Sequence, residues 1–475
     1  MKNRIIVLFI ISAFVFSLFG CALNEVTPIS SGDITAPAKT PQPAVSAVPN
    51  VSDDIISQDK CIISYFDALK QNNADKIIRL SSSSMTGKLY SNFYSSDFYG
   101  ELYSMAQTSN LMENTSLFIY SILSDYDRSK PVLNYSDELI EEFIMKVNPA
   151  RLADIKVLAL GTPHEQPQLN FPDSLQVDLS VFSHRLCLFS IGENMYYQLF
   201  TLVKFDNSYM LASIGDYDKL MKGISQKISQ EDFEALVDPQ TINEPSEEML
   251  APSAQIVGET TYLQKIKETP ALSIKNSGDV IGYFTESLAH QDACAALSAF
   301  AIKENANKFS LHNMSEAMGA FVPYNFGGIT SEYAFYRDIN LAVFCSQKAS
   351  EILLLLPAFS YDYSILLNSE FSPDIVFSAM QKTSENISSL SLIRSDVFKD
   401  TANYKSYRYA SAYGADETEY RIVEYMLGEE AYVSGMELIN YSGEWRIQGY
   451  STVLLGLPVT FPVLPSSKLD YDSFI

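Results

Sequence analysis

Ile55, Ile62, Phe66 and Leu69 recur at spacings of seven, four and three, which sets them on one face of a helix opening after Ser52. Val280, Ile281, Phe284 and Leu288 repeat the stripe after Ser277. Asn73 and Asp292 follow the two stripes, where a side-chain oxygen would cap a short helix carrying Ile78 in one case and Leu297 in the other. Further apolar helical segments are expected from Asn114 to Leu123 and from Asp338 to Leu356. The period then changes. Leu175, Val177, Leu179 and Val181 alternate with polar residues, as in a half-buried strand, and Lys405, Tyr407, Tyr409, Ser411 and Tyr413 predict an aromatic-rich strand followed by another from Tyr420 to Leu427. Hairpins are predicted at Asp206-Asn207-Ser208 and at Ser442-Gly443-Glu444, each between apolar runs.

The elements also repeat in order. Ile63-Ser-Tyr-Phe-Asp-Ala-Leu69 with Asn73-Ala74 matches Ile281-Gly-Tyr-Phe-Thr-Glu-Ser-Leu288 with Asp292-Ala293, one residue being inserted in the later copy. Leu202 to Leu211 lies over Leu438 to Ile447 without a gap, so that Tyr209 falls on Trp445, and Ile155 to Leu160 can be laid on Ile387 to Leu392. Three matches in one order predict an α+β chain of two tandem copies, each with helices first and an antiparallel sheet after. The copies span 52–222 and 273–456, with 223–272 an acidic linker holding one short helix near Gln230 to Val237, and 457–475 a C-terminal tail. Each copy is expected to hold its own core, with Tyr209 beside Phe66 and Trp445 beside Phe284. On that view loss of Trp445 unfolds only the second.

This order, closing on a hairpin with an aromatic after the turn, resembles the cone-shaped, cystatin-like fold of the nuclear transport factor two-like superfamily. The resemblance lies mainly in the opening Tyr-Phe helix (Tyr65-Phe66, Tyr283-Phe284) and the closing strands, and each copy is longer than the usual member. It implies a curved sheet wrapped round a helix, with room for a pocket. Members include enzymes and binding or assembly modules, so the fold names no chemistry by itself.

The N-terminus carries an address. Lys2 and Arg4 precede an apolar run from Ile5 to Phe19, shorter than the roughly 20 residues that span a bilayer. Leu18-Phe19-Gly20-Cys21 resembles the bacterial lipobox, although Phe19 stands where a smaller residue is usual. The resemblance implies a signal peptide over 1–20, cleavage before Cys21 and a lipid on that cysteine that holds the chain to the extracytoplasmic face of the cell membrane. Residues 21–51, with Pro28, Pro37, Pro41, Pro43 and Pro49, read as a flexible tether.

With 475 residues, 47% of them hydrophobic, the chain is long enough for two cores. Its net charge of -24 argues against nucleic acid or anionic lipid as the main partner. Cys61, Cys187, Cys294 and Cys345 permit disulfides outside the cytoplasm, and equally permit buried free thiols. No nucleotide loop or nucleophile elbow is present. His164-Glu165 opens like a zinc-protease motif but meets Pro167 and Gln168 where the second histidine should follow. Ser57 and Lys60 share a penicillin-binding-protein spacing without the partner motifs. His164, His184, His290 and His312 do not recur at matching points, and Glu141-Glu142 and Glu429-Glu430 read as solvated faces. No cofactor and no metal are therefore expected. The 29 tyrosines concentrate in the second sheet, and Tyr407 and Tyr409 are the candidate contacts for an envelope protein, a peptide or a glycan. Together these point to a non-catalytic binding or scaffolding module of the cell envelope. The alternative is an envelope enzyme with a pocket in one cone, whose residues the sequence does not single out.

Overall fold

The opening stripe forms the helix α1 (Asp53–Lys70), and Ile62, Phe66 and Leu69 are buried along it as their spacing requires. The computed structural model describes residues 53–123, 133–134, 136–166, 179–205, 208–214, 226–242, 250, 260–321, 337–361, 373–398, 410–450 and 462–475. The leader, Cys21, the tether, Ser52, Leu175, Val177, Tyr407 and Tyr409 lie outside them.

In the first unit α1 is followed by α2 (Ala74–Leu80), α3 (Ser83–Tyr94), the long α4 (Asp97–Leu123) and α5 (Asp137–Lys146). Asn73 caps α2 by accepting from the Lys76 amide, as the sequence predicts. Gly87 and Gly100 let α3 and α4 touch backbone to backbone; a Cβ at Gly87 would stand 2.7 Å from the Gly100 carbonyl oxygen. The sheet then runs β2 (Ile155–Gly161), β4 (Leu179–Ile191), β5 (Asn194–Phe205) and β6 (Ser208–Ile214) as antiparallel neighbours, with the short β3 (His164–Gln166) on β4. The second unit repeats the plan. Its helices are α8 (Ser277–Ala289), α9 (Ala293–Ser298), α10 (Ile302–Lys308), α11 (Leu311–Met318), the long α12 (Arg337–Ala358) and α13 (Pro373–Asn386). Its strands are β10 (Ser391–Val397), β11 (Glu417–Leu427), β12 (Glu430–Tyr441) and β13 (Glu444–Tyr450). Asp292 caps α9 through the Ala295 amide. The protein is thus α+β, a helices-then-antiparallel-sheet unit built twice in tandem.

The sheets correspond residue by residue. The hairpin pairs Ile191↔Asn194, Phe205↔Ser208 and Leu202↔Leu211 reappear as Leu427↔Glu430, Tyr441↔Glu444 and Leu438↔Ile447, each 236 residues later. Even the irregularity between Thr201 and Leu202 recurs between Glu437 and Leu438. In the helical part the left-handed residues Asn72 and Gln291 end the opening helices, and Ser81 and Phe300 bridge to Leu211 and Ile447. The turn at Ser442-Gly443 has positive φ at both residues, the twist that a two-residue hairpin needs. Two expectations shift. The partner of Ile155 is Ser391, where β10 begins, because Ile387–Ser389 forms a 3-10 turn that precedes the strand. The strand predicted through Tyr413 ends, in its described part, as a 3-10 turn over Ser411–Tyr413 closed by left-handed Gly414.

The segments expected as linker and tail are the last elements of the two units. After β6, β7 (Gln226–Lys227) pairs with β5 at Tyr196 and Tyr197. The helix α6 (Gln230–Leu236) then presses Phe233 onto the outer face of the sheet among Leu186, Leu188 and Tyr197. After β13, β14 (Leu464–Pro465) pairs with Tyr432 and Val433, and a 3-10 turn over Tyr471–Phe474 sets Tyr471 on the outer face against Tyr420, Ile422 and Val433. Each sheet therefore has its long helices on one face and an aromatic plug on the other, Phe233 in the first unit and Tyr471, beside buried Phe398 and Tyr420, in the second. The described residues of the expected linker hold two further elements. β8 (Pro239–Thr241) adds to the edge of β2, and α7 (Tyr262–Glu268) buries Tyr262, Leu263 and Ile266.

The units do not keep separate cores. One continuous apolar cluster runs from Phe66 through Leu111 and Met112 of α4 to Ala342, Cys345 and Ala349 of α12 and on to Phe284. The Tyr262 hydroxyl meets Thr108 Oγ1 at 2.6 Å, Gln347 donates to Glu113 at 3.0 Å, and the two-residue strands β1 (Leu133–Asn134) and β9 (Ala320–Phe321) pair across the units. The helix α12 is long and apolar enough to cross a membrane, yet most of it is buried inside the protein, as a core helix is. A chain cut once between 243 and 259 is accordingly expected to migrate as one species in native size-exclusion chromatography and to separate only in denaturant. Separation under native conditions would show the shared core to be dispensable.

Candidate functional site

The two units place an arginine at the same point. Arg185 on β4 and Arg421 on β11 stand 236 residues apart and both turn toward the start of their unit's opening helix. Arg185 is 1% exposed; its Nε donates to the Gly161 carbonyl at 2.6 Å and its Nη2 lies 2.9 Å from Asp59 Oδ1 on α1. Ser183 donates to Gln58 Oε1 at 2.9 Å beside it, while Gln58 Nε2 has no partner. Burial raises the Asp59 carboxyl above its ordinary range against the pull of Arg185, and burial lowers the Arg185 guanidinium. Arg421 is more open. Its Nε donates to Ser277 Oγ and to Glu419 Oε1, and its Nη1 to the Ser395 carbonyl at 2.8 Å. In both units the group ties strand to helix start.

A second polar cluster belongs to the second unit alone. Lys348 on α12 donates to Glu351 Oε1 at 2.6 Å and to the Gln448 carbonyl at 2.6 Å. The other carboxylate oxygen, Glu351 Oε2, and the Tyr450 hydroxyl are shut off from solvent with no hydrogen-bond partner. Gly449 leaves space there; a Cβ on it would come within 3.4 Å of both Glu351 Oε2 and Lys348 Nζ. The corresponding place in the first unit is neutral, with Asn114 Nδ2 donating to Ser213 Oγ at 3.5 Å. Burial raises the Glu351 carboxyl and the Lys348 ammonium only partly opposes it. The folded chain thus holds this proton to higher pH than the unfolded chain. The carboxyl favours the fold below about pH 4.5, and that advantage is lost as pH rises through its raised pKa. The Tm of the native chain minus that of Glu351→Gln is expected to be larger at pH 4.5 than at pH 7.5; a difference constant with pH would show that Glu351 is not held protonated.

The remaining candidates separate. Ser57 accepts from the Tyr209 amide at 3.3 Å, so its role is to join α1 to β6. Tyr209 and Trp445 are buried as expected, but at the helix starts: Cys61 donates to the Tyr209 carbonyl, and the Trp445 amide donates to Ile274. The ring neighbours of Phe66 are instead Tyr65, Phe118, Phe189 and Phe200. Cys61, Cys187, Cys294 and Cys345 are free, and burial pushes the Cys61 thiol up to about 12 and that of Cys294 to about 11, away from reactive thiolate. His164 and His184, twenty residues apart in the chain, are cross-strand neighbours on β3 and β4, which their spacing alone did not signal. His184 Nδ1 meets Thr201 Oγ1 at 3.0 Å, and no metal-holding group of three ligands occurs among the described residues.

No family model matches the chain, and no curated protein matches it. Among solved structures it is similar to a cystatin-like protein from Ruminococcus gnavus ATCC 29149, at 14% identity and a TM-score of 0.49, over 88% of this chain and 95% of that one.

Proposed function

We propose that this chain is an extracytoplasmic lipoprotein, held to the membrane by lipid on Cys21, that serves as a non-catalytic binding or scaffolding module of the cell envelope. The observation that carries the reading is Leu18-Phe19-Gly20-Cys21 at the end of a short apolar run, followed by a proline-studded stretch before the first helix. The matched arginines add support for binding over catalysis, since each is taken up in joining its own strand and helix. Labelled palmitate is expected to enter the native chain and not Cys21→Ala, which should also leave the membrane fraction. Label in the variant would overturn the anchor. Tyr407 and Tyr409 are the proposed contacts for an envelope protein, peptide or glycan. Replacing both by Ser should weaken retention on isolated cell envelopes without changing Tm, and a fall in Tm instead would assign them to the core.

One observation favours the second reading, an enzyme with its site inside the second unit: Glu351, Lys348 and Tyr450 gather a raised carboxyl, an ammonium and an unpartnered hydroxyl. Under it, Glu351→Gln abolishes turnover of envelope peptides or glycans. Under the binding reading there is no turnover to lose.

A further inference from the structure

The two sheets differ at one edge. In the first unit β2 is covered on its outer side by β8, with Ala159, Leu160 and Gly161 opposite Thr241, Gln240 and Pro239. The residue 236 positions after Ala159 is Ser395, in the middle of β10. That strand pairs with β11 and, among the described residues, with nothing on its other side. Ile393 and Val397 flank Ser395 and are 44% and 48% exposed, two of the few large apolar side chains so open in the described protein. An uncovered edge is a template for another strand.

The hydrogen-bond phase of β10 says which residues offer that template. Phe398 donates to the Tyr420 carbonyl, so by the alternation of an antiparallel ladder Asp396 and Arg394 also bond inward to β11. Ser395 and Val397 therefore turn their backbone groups to the open edge. The Ser395 carbonyl accepts from the Arg421 side chain and keeps a second lone pair for an incoming amide.

We propose that β10 is the self-association edge of this protein, two copies joining antiparallel about Ser395. This register sets Ser395 opposite its own counterpart, Ile393 of each copy opposite Val397 of the other, and Arg394 opposite Asp396 on the other face. The exposed apolar side chains cover one another; Arg394 is already bonded to Glu424 and Asp472 of its own copy, so the seam rests on this apolar contact and on the backbone pairing. A shift that centres the pair on Arg394 sets like charges together and offers backbone groups already bonded to β11. Self-complementarity of this kind is what a two-fold interface requires. The register irregularity between Leu392 and Arg394 ends the regular edge on one side and confines the seam to a short strand, so the dimer is a weak, concentration-dependent one.

Sedimentation velocity of the mature full-length chain over a wide concentration range should show a monomer-dimer equilibrium. Ser395→Pro should move its midpoint about tenfold or more to higher concentration because it removes the edge amide, whereas Ser395→Ala, which loses the same Oγ contact to Arg421 but keeps the amide, should leave the midpoint where it is. Register is read by oxidative cross-linking. Chains with Ile393→Cys mixed with chains with Val397→Cys should bridge, Ser395→Cys should bridge to itself, and Ile393→Cys alone should not. The unsubstituted chain run beside them reports any bridge through Cys294. A chain that stays monomeric at every concentration, or one that bridges through Ile393→Cys alone and not in the mixture, overturns the proposal.

Discussion

Phe66→Ala is expected to cost about 3–5 kcal/mol, a large part of the 5–15 kcal/mol that a folded chain commonly has in hand. Phe66 is 1% exposed and its ring sits 5.2–6.0 Å from those of Tyr65, Phe118, Phe189 and Phe200. Those neighbours come from α1, α4, β4 and β5, so a cavity there loosens helices and sheet together. Because the apolar cluster is continuous, the loss should not stay in the first unit. Trp445, the single tryptophan, is buried in the second unit and reports on it by fluorescence. In urea, the Trp445 transition and the far-ultraviolet transition of Phe66→Ala should shift to lower denaturant by the same amount. A Trp445 transition left where it was would show that the units unfold separately, as two private cores would.

Asp59→Ala should be comparably damaging, by about 3–5 kcal/mol, for a different reason. It leaves the Arg185 guanidinium charged, 1% exposed and without its carboxylate. The double substitution Asp59→Leu with Arg185→Met removes both charges, and burial works against each of the two ionised groups. That variant should therefore recover most of the lost stability and reach or pass the native midpoint. Equal damage from the single and the double variants would mean that the packing of the arginine stem, and not its charge, is what the site needs.

Much of this fold is legible in the sequence where a pattern spans several residues. The stripe of Ile62, Phe66 and Leu69, the caps Asn73 and Asp292 and the ungapped match of Leu202–Leu211 with Leu438–Ile447 are all local signals, and all three give real elements. The strand match at Ile387 fails by four residues because a run of apolar residues does not carry its own register; pairing with β11 sets it. The outer-face plugs are illegible for a related reason. Phe233 lies among Glu231, Asp232 and Glu234, and Tyr471 between Asp470 and Asp472. One aromatic in an acidic turn has no periodicity, and only the sheet beneath gives it a purpose. The arginine pair is not legible either, because one polar residue in a strand has no periodicity and its partners, Asp59 and Ser277, lie more than a hundred residues away along the chain. Arg185 and Arg421 also sit amid strands whose apolar residues draw the eye. The fused core could not be read at all, since a buried helix face looks the same whether it meets its own sheet or another unit.

The joint between α1 and the first sheet also has a mechanical side. Any pull on the chain ahead of Asp53 enters the protein at the start of α1. Among the described ties there are Ser57 to the Tyr209 amide, Asp59 to Arg185 and Cys61 to the Tyr209 carbonyl. These lie within little more than one turn of helix and are spread over β4 and β6, so they share a load instead of opening one after another. An ion pair that adds little to thermal stability is then well placed for another duty, that of resisting a pull along the chain ahead of α1.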